Sequence, residues 1–236
     1  MQRLRVLIDI FVRSSTTRMR VGGLLLLGAL AIGLAIVVRT APNPASDAPA
    51  HLVDRLGLTL MVPVAALLVA SATLGQLRDE GTLVYVWLRP ISRFSIAAAA
   101  WVASLLVTLP TVVIPLTAAA GISGGDGDLI WATALASSLG VAAYCGVFVA
   151  LGTLTKHAAI WGLGYILIWE GLLAALGSGI NRLALRNYTR SLVESIGGAD
   201  LPLADASSGV AIVVLSAVAA LSVALTAQRL VRAEVD

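Results

Sequence analysis

Apolar residues run along this chain in blocks too long and too unbroken for the core of a soluble domain. No charged residue occurs from Gly22 to Val38, and comparable blocks cover about 56–77, 95–119, 129–154, 158–176 and 209–228. Each block is close to or above the ~20 residues that a helix needs to cross a bilayer. A helix also satisfies its backbone groups within one segment, which hydrocarbon demands. The pattern therefore predicts an all-α integral membrane fold with six transmembrane helices and no internal repeat.

The segments between the blocks carry patterns of their own. Leu4, Leu7, Ile8 and Phe11 recur at helical spacing in residues 1–20, while Arg5, Asp9 and Arg13 stand four apart on another face. That predicts an amphipathic helix at the membrane interface with two side-chain ion pairs, and its basic character suits an anionic inner leaflet. Residues 39–55 show no periodicity and read as an irregular loop. Pro63 falls in the second span, and Pro110 and Pro115 are expected to bend the third. Residues 121–128 and 155–157 read as short turns. The longest stretch outside the spans is 177–208. Leu183, Leu185, Leu192, Val193 and Ile196 recur there at near-helical spacing, and Gly197, Gly198 and Pro202 end the run. One or two short helices dipping into the outer leaflet before the last span are expected.

Composition sharpens this picture. Of 236 residues, 58% are hydrophobic and 12% charged, well outside the globular range. The whole chain reads as one transmembrane domain, with the first span retained rather than cleaved as a signal. Cys145 is the one cysteine, so no disulfide forms within the chain, and His51 and His157 are too dispersed from it to suggest a metal site. Lys156 is the one lysine and no phosphate-binding glycine loop precedes it. No cofactor is expected on this chain, and any ATP it uses must be bound elsewhere. With the N-terminus cytoplasmic, eleven of the sixteen arginines and lysines fall inside and five outside. That bias places both termini in the cytoplasm of a multi-pass protein of the inner or plasma membrane.

The stretch from Gln76 to Phe94 breaks the apolar pattern most sharply. Arg78, Asp79 and Glu80 are clustered, Gly81 can reorient a helix and Thr82 can cap a new one. Leu83, Val84, Tyr85, Val86, Trp87 and Leu88 then precede Arg89 and Pro90. A loop that only reverses direction has no use for Tyr85, Trp87 and four aliphatics. The composition suits a short amphipathic helix offered to a partner on the cytoplasmic side, or an interfacial loop anchored by its aromatics.

The same stretch resembles the permease subunits of ABC-2 type (type V) ABC transporters. The second membrane helix of that family ends in a pattern like E-x-G-T-L, followed by R/S-P-h-S-R with h apolar. Here Glu80, Gly81, Thr82 and Leu83, with Glu80 directly before the glycine instead of one residue ahead, and then Arg89, Pro90, Ile91, Ser92 and Arg93, correspond to them. The family commonly continues with Gly-Lys, where this chain has Ala99, Ala100 and Trp101. The resemblance implies a coupling helix gripped by a separate ATPase, present in two copies and carrying ATP and Mg. It also implies a second permease copy or homologue, an interfacial N-terminal helix and short extracellular re-entrant helices. A W-E pair near the end of the fifth helix, with an h-S/A-h-R-x-Y segment after it, is similar to Trp169-Glu170 and to Leu183 through Tyr188. On that likeness Glu170, Arg186 and Tyr188 are candidates for the transport path or an outer gate. Taken by itself, Glu170 either lines such a route or pairs with Arg182, Arg186 or a tyrosine on another helix, because a lone carboxylate inside a span is costly.

The function expected is that of an exporter's permease subunit, moving an apolar or amphipathic substrate and not itself an enzyme. An accessory role in metalloenzyme maturation or signalling, or a scaffold without cargo, remains an alternative. Nucleic acid is not an expected partner. A third class, an intramembrane hydrolase built on the G-x-S-G at Gly121–Gly124, is disfavoured. The spans separate Ser123 from His157, and His51 lies on a Pro-rich segment. A cysteine placed at Ser92 is expected to be shielded from an external impermeant reagent, and one at Asn187 to be labelled.

Overall fold

The structure, a computed structural model, describes residues 2–42, 45–79, 92–155, 157–172, 178–202 and 204–232. Among these, every regular element is helical. Helix α1 (Gln2–Ser15) lies against α4 (Val62–Asp79) and α5 (Arg93–Ile122), with Leu7 and Phe11 buried. The Arg13–Asp9 pair forms at 3.0 Å on its exposed face, where it contributes little. Helix α2 (Arg18–Thr40) is the first long apolar helix, and Gly28 sits so close to α5 that an added methyl would stand 3.3 Å from Pro115.

The second span differs from its expectation in two ways. It begins in what read as an irregular loop: α3 (Ala48–Leu52) opens on Pro49, which suits a first helical turn because its missing N–H has no partner to lose there. The chain continues without a break as a π-helical segment, π1 (Val53–Met61), and then as α4 (Val62–Asp79). Pro63 supplies the physical reason for the change of register. Its ring crowds the carbonyl four residues back and it has no N–H to offer. Immediately upstream the helix widens, and the Val62 N–H reaches the Gly57 carbonyl five residues back.

Helix α5 (Arg93–Ile122) runs through Pro110 and Pro115 as one helix, and Ser92 caps it by accepting from the Ser95 N–H at 3.2 Å. Helix α6 (Gly127–Leu154) is capped by Asp126, which accepts from the Leu129 N–H at 2.9 Å. The turn between them is closed by Ser123, whose Oγ donates to the Ala120 carbonyl. The fifth block forms α7 (Ala158–Gly164) and a second π-helical segment, π2 (Tyr165–Leu172). Its fifteen described residues are shorter than the expected span, and 173–177 lie outside the described residues. Two short helices follow, α8 (Ser178–Asn181) and α9 (Leu185–Gly197), then α10 (Ser208–Arg232). Among the described residues, five helices are long and apolar enough to cross a membrane: α2, the helix beginning at Ala48, α5, α6 and α10.

Helix α6 stands at the centre, packed by α4, α5, α9 and α10. Gly146 lets α10 approach closely: a methyl there would stand 3.1 Å from Ser222 Cβ and 3.3 Å from the Ala219 backbone. A hydroxyl pair and an indole tie the helices at depth. Thr73 and Ser104 meet at 2.9 Å between α4 and α5, and Trp101 Nε1 donates to the Ala142 carbonyl at 3.0 Å between α5 and α6. Trp101, which stands where the resembled family has Gly-Lys, is thus a packing residue of the bundle.

Candidate functional site

Helix α9 is short and polar, yet Arg186, Asn187, Thr189, Arg190 and Ser191 are all buried. Its faces explain why. Leu185, Thr189, Leu192 and Val193 are buried, with Thr189 Cγ2 set 3.0 Å from where a Cβ on Gly140 would be. Asn187 and Ser191, four apart, face the chain leading into α10: Asn187 Oδ1 accepts from the Asp205 N–H at 3.4 Å and Ser191 Oγ from the Ala206 N–H at 3.2 Å. Arg186 and Arg190, also four apart, form a third face. Gly198 ends the helix in a left-handed conformation (φ 65°) that glycine takes at no steric cost, as the sequence indicated.

Arg190 meets Asp54, 136 positions away in π1. Its Nε donates to Oδ1 and its Nη2 to Oδ2 at 2.8 Å, a two-pronged match of guanidinium to carboxylate. Nη2 also reaches Thr59 Oγ1 at 3.4 Å and Nη1 the Pro202 carbonyl at 3.3 Å. Asp54 is 1% exposed and Arg190 7%. Removing two charges from water is tolerable only because each satisfies the other this fully. By the arginine count Arg190 falls among the five outer cations, and Asp54 carries no signal of its own in the sequence. A start for the second span at Leu56 left that acid outside a helix, and nothing in one sequence pairs residues so far apart. Its neighbour Arg55 is exposed.

Glu170 lies in π2 and is 2% exposed. The Tyr144 hydroxyl of α6 donates to Oε2, and the Tyr165 hydroxyl donates to Oε1 at 3.0 Å. Tyr144 stacks on Phe148, and Phe148 meets Tyr165 edge-on. The Arg186 guanidinium acts on Glu170 electrostatically, while burial and then the adjacent Arg190 push Arg186 down from its ordinary value. The carboxylate thus has tyrosine partners, one of them on another helix, which is one of the two alternatives the sequence left open.

The three candidates for a path or gate separate here. Glu170 and Arg186 come together; Tyr188 does not join them, its hydroxyl donating instead to the Arg182 carbonyl at 2.7 Å. An open cavity of about 400 Å³, walled by Asp47, Asp126 and Asp200 among others, lies beside the end of α9, but the acid–arginine cluster does not line it. Tyr165 helps to wall an apolar groove of about 360 Å³ with Phe148, Leu151 and Trp161. Asn187 is 1% exposed, so a cysteine there is a poor reporter of sidedness. Leu183, 67% exposed, is the better position.

Of the coupling stretch, Arg78 and Asp79 end α4, while Ser92 caps and Arg93 begins α5. Glu80, Gly81, Thr82, Leu83, Tyr85, Trp87, Arg89 and Pro90 lie outside the described residues. Among the described residues, no cluster of histidine, cysteine and acidic side chains could hold a metal ion. His51 is bonded to Asp47 at 2.9 Å, and Ser123 is engaged in its own turn. A scan against protein-family models matches nothing along the sequence, and no curated protein matches it either.

Proposed function

We propose that this chain is the permease subunit of an ATP-driven exporter of the ABC-2 kind, moving an apolar or amphipathic substrate. The observation that carries the reading is the sequence from Glu80 to Arg93, E-G-T-L then R-P-I-S-R, lying between two helices long and apolar enough to span a membrane. The helices it joins, α4 and α5, pack against each other, so a push on the connection would be felt by both. Asp54 lies 25 positions before Asp79, or roughly 35 Å along the helix. The acid–arginine cluster and the coupling stretch therefore belong to opposite ends of the span, as a driven end and a responding end require.

Two permease halves would enclose the path, with an ATPase beneath each. Within one half, Asp54, Glu170 and Arg190 have partners in the same chain, which favours a cargo that asks for few charges. Both termini would be cytoplasmic. The test is a complex purified with its ATPase and reconstituted in vesicles. Reversing the charge at Glu80 and adding bulk at Gly81 should leave insertion normal and separate ATP hydrolysis from transport. Unchanged transport, or full activity with no ATPase bound, would defeat the reading.

A further inference from the structure

We propose that the groove between α2 and the start of the second span is a phospholipid site, with an acyl chain along its walls and the lipid phosphate at Arg55. Helix α2 packs chiefly on α5 and meets α3 and π1 only lightly. The gap left there is a groove of about 440 Å³, in the size range of small-ligand sites. Leu34 and Val38 of α2 form one wall, and Leu52 and Leu56 of the second span form the other. Along α2 the groove is continuous with apolar surface, where Leu30, Leu34 and Val37 are exposed. Water finds too few polar partners against such walls, and an empty groove forfeits the dispersion contacts of everything that lines it. A hydrocarbon chain restores them.

The polar side chains of the groove say what that hydrocarbon carries. Asp47, His51 and Arg55 follow one another at intervals of four along the same helix. Asp47 and His51 bond each other at 2.9 Å. Arg55 is exposed and, among the described residues, has neither a hydrogen-bond nor an ion partner. The adjacent Asp54 cannot serve it, because both carboxylate oxygens are given to Arg190. A guanidinium beside apolar walls calls for an anion attached to a hydrocarbon chain, and its planar fork suits phosphate oxygens. The depth agrees. Arg55 shares Asp54's end of the span, roughly 35 Å along the helix from Asp79, and a hydrocarbon core is about 30 Å thick. With Asp79 at one headgroup layer, Arg55 stands at the other. None of this depends on the exporter reading; it requires only that these helices lie in a bilayer.

Lipid titration of the delipidated full chain in detergent, read by native mass spectrometry, tests the site without ATPase or cargo. Dioleoyl phosphatidylglycerol should bind as a single adduct per chain, and Arg55→Gln should weaken it by roughly tenfold, about what one hydrogen bond to a charge is worth. Dioleoylglycerol, with the same chains and no phosphate, should bind the native protein and Arg55→Gln equally weakly. Arg39→Gln removes an exposed arginine outside the groove and should change nothing. Val38→Trp provides an independent arm: it fills the groove from its wall, leaves Arg55 in place and should also weaken the phospholipid. Unchanged affinity in Arg55→Gln or in Val38→Trp, an equal loss in Arg39→Gln, or dioleoylglycerol bound as tightly as the phospholipid would overturn the proposal. So would a two-chain species that Val38→Trp disrupts, which would give the groove to a second copy of this chain.

Discussion

Asp54 and Arg190 are each a charge that hydrocarbon would refuse alone, and each is tolerated because the other is there. Asp54→Leu leaves a buried guanidinium unpaired and should cost about 3–5 kcal/mol. Asp54→Leu with Arg190→Met should recover most of that loss, since a well-packed apolar pair often matches a buried ion pair. Thermal unfolding in one detergent compares them, and a double variant as unstable as the single one would deny the pairing. At Glu170, Gln keeps an acceptor for the Tyr144 and Tyr165 hydroxyls while Leu offers none. Glu170→Leu should be the less stable by about 1–3 kcal/mol. Glu194 behaves differently. Burial, then Asp200, raises its carboxyl above the ordinary 4.5, so the folded state holds that proton more tightly than the unfolded chain does. Stability from this group should grow as pH falls through the raised value and fade as pH climbs above it. Melting curves taken upward from about pH 4.5 should show that slope, and Glu194→Gln should flatten it.

At the scale of elements, the apolar blocks were legible because each is a run of consecutive residues, and hydropathy is a local property. The ends of α6, the Gly198 stop of α9 and the turn at Ser123 were legible for the same reason. The π-helical segments were not. Pro63 breaks the ladder at one point, but what fills the widened helix comes from outside: Gly57 in π1 admits Leu116, whose side-chain atoms stand 2.4, 2.7 and 3.1 Å from where a Cβ would be. Gly57→Ala should therefore destabilise. The methyl gains about 1 kcal/mol in helix propensity, but Leu116 is fully buried and has to move into packed surroundings to make room, and overpacking typically costs about 1–3 kcal/mol. A melting temperature higher than that of the native protein would show that Leu116 can retreat. Gly146→Leu should be harsher, because the obstacle is the α10 backbone. The buried polar face of α9 was illegible too. Two arginines and an asparagine read as a surface until the groups that satisfy them are in place.

For the molecule as a whole, sidedness is the property on which the proposed mechanism turns. With the native Cys145 fully buried, single cysteines report cleanly. Leu183→Cys should react with an impermeant maleimide added to intact cells, and Ser92→Cys should react only after the membrane is opened; the reverse pattern would invert the topology and end the coupling role of Glu80–Arg93. What the sequence by itself determined is what consecutive residues can express. Hydrocarbon requires long apolar helices, and a polar break with aromatics marks one connection as unusual. What only the tertiary structure decided is which buried charges meet. The pairing of Asp54 with Arg190, the tyrosine partners of Glu170 and the burial of α9 join residues separated by up to 136 positions. The free energy that selects them is the cost of leaving a charge unpaired in a medium without water, and that cost exists only once the helices have come together.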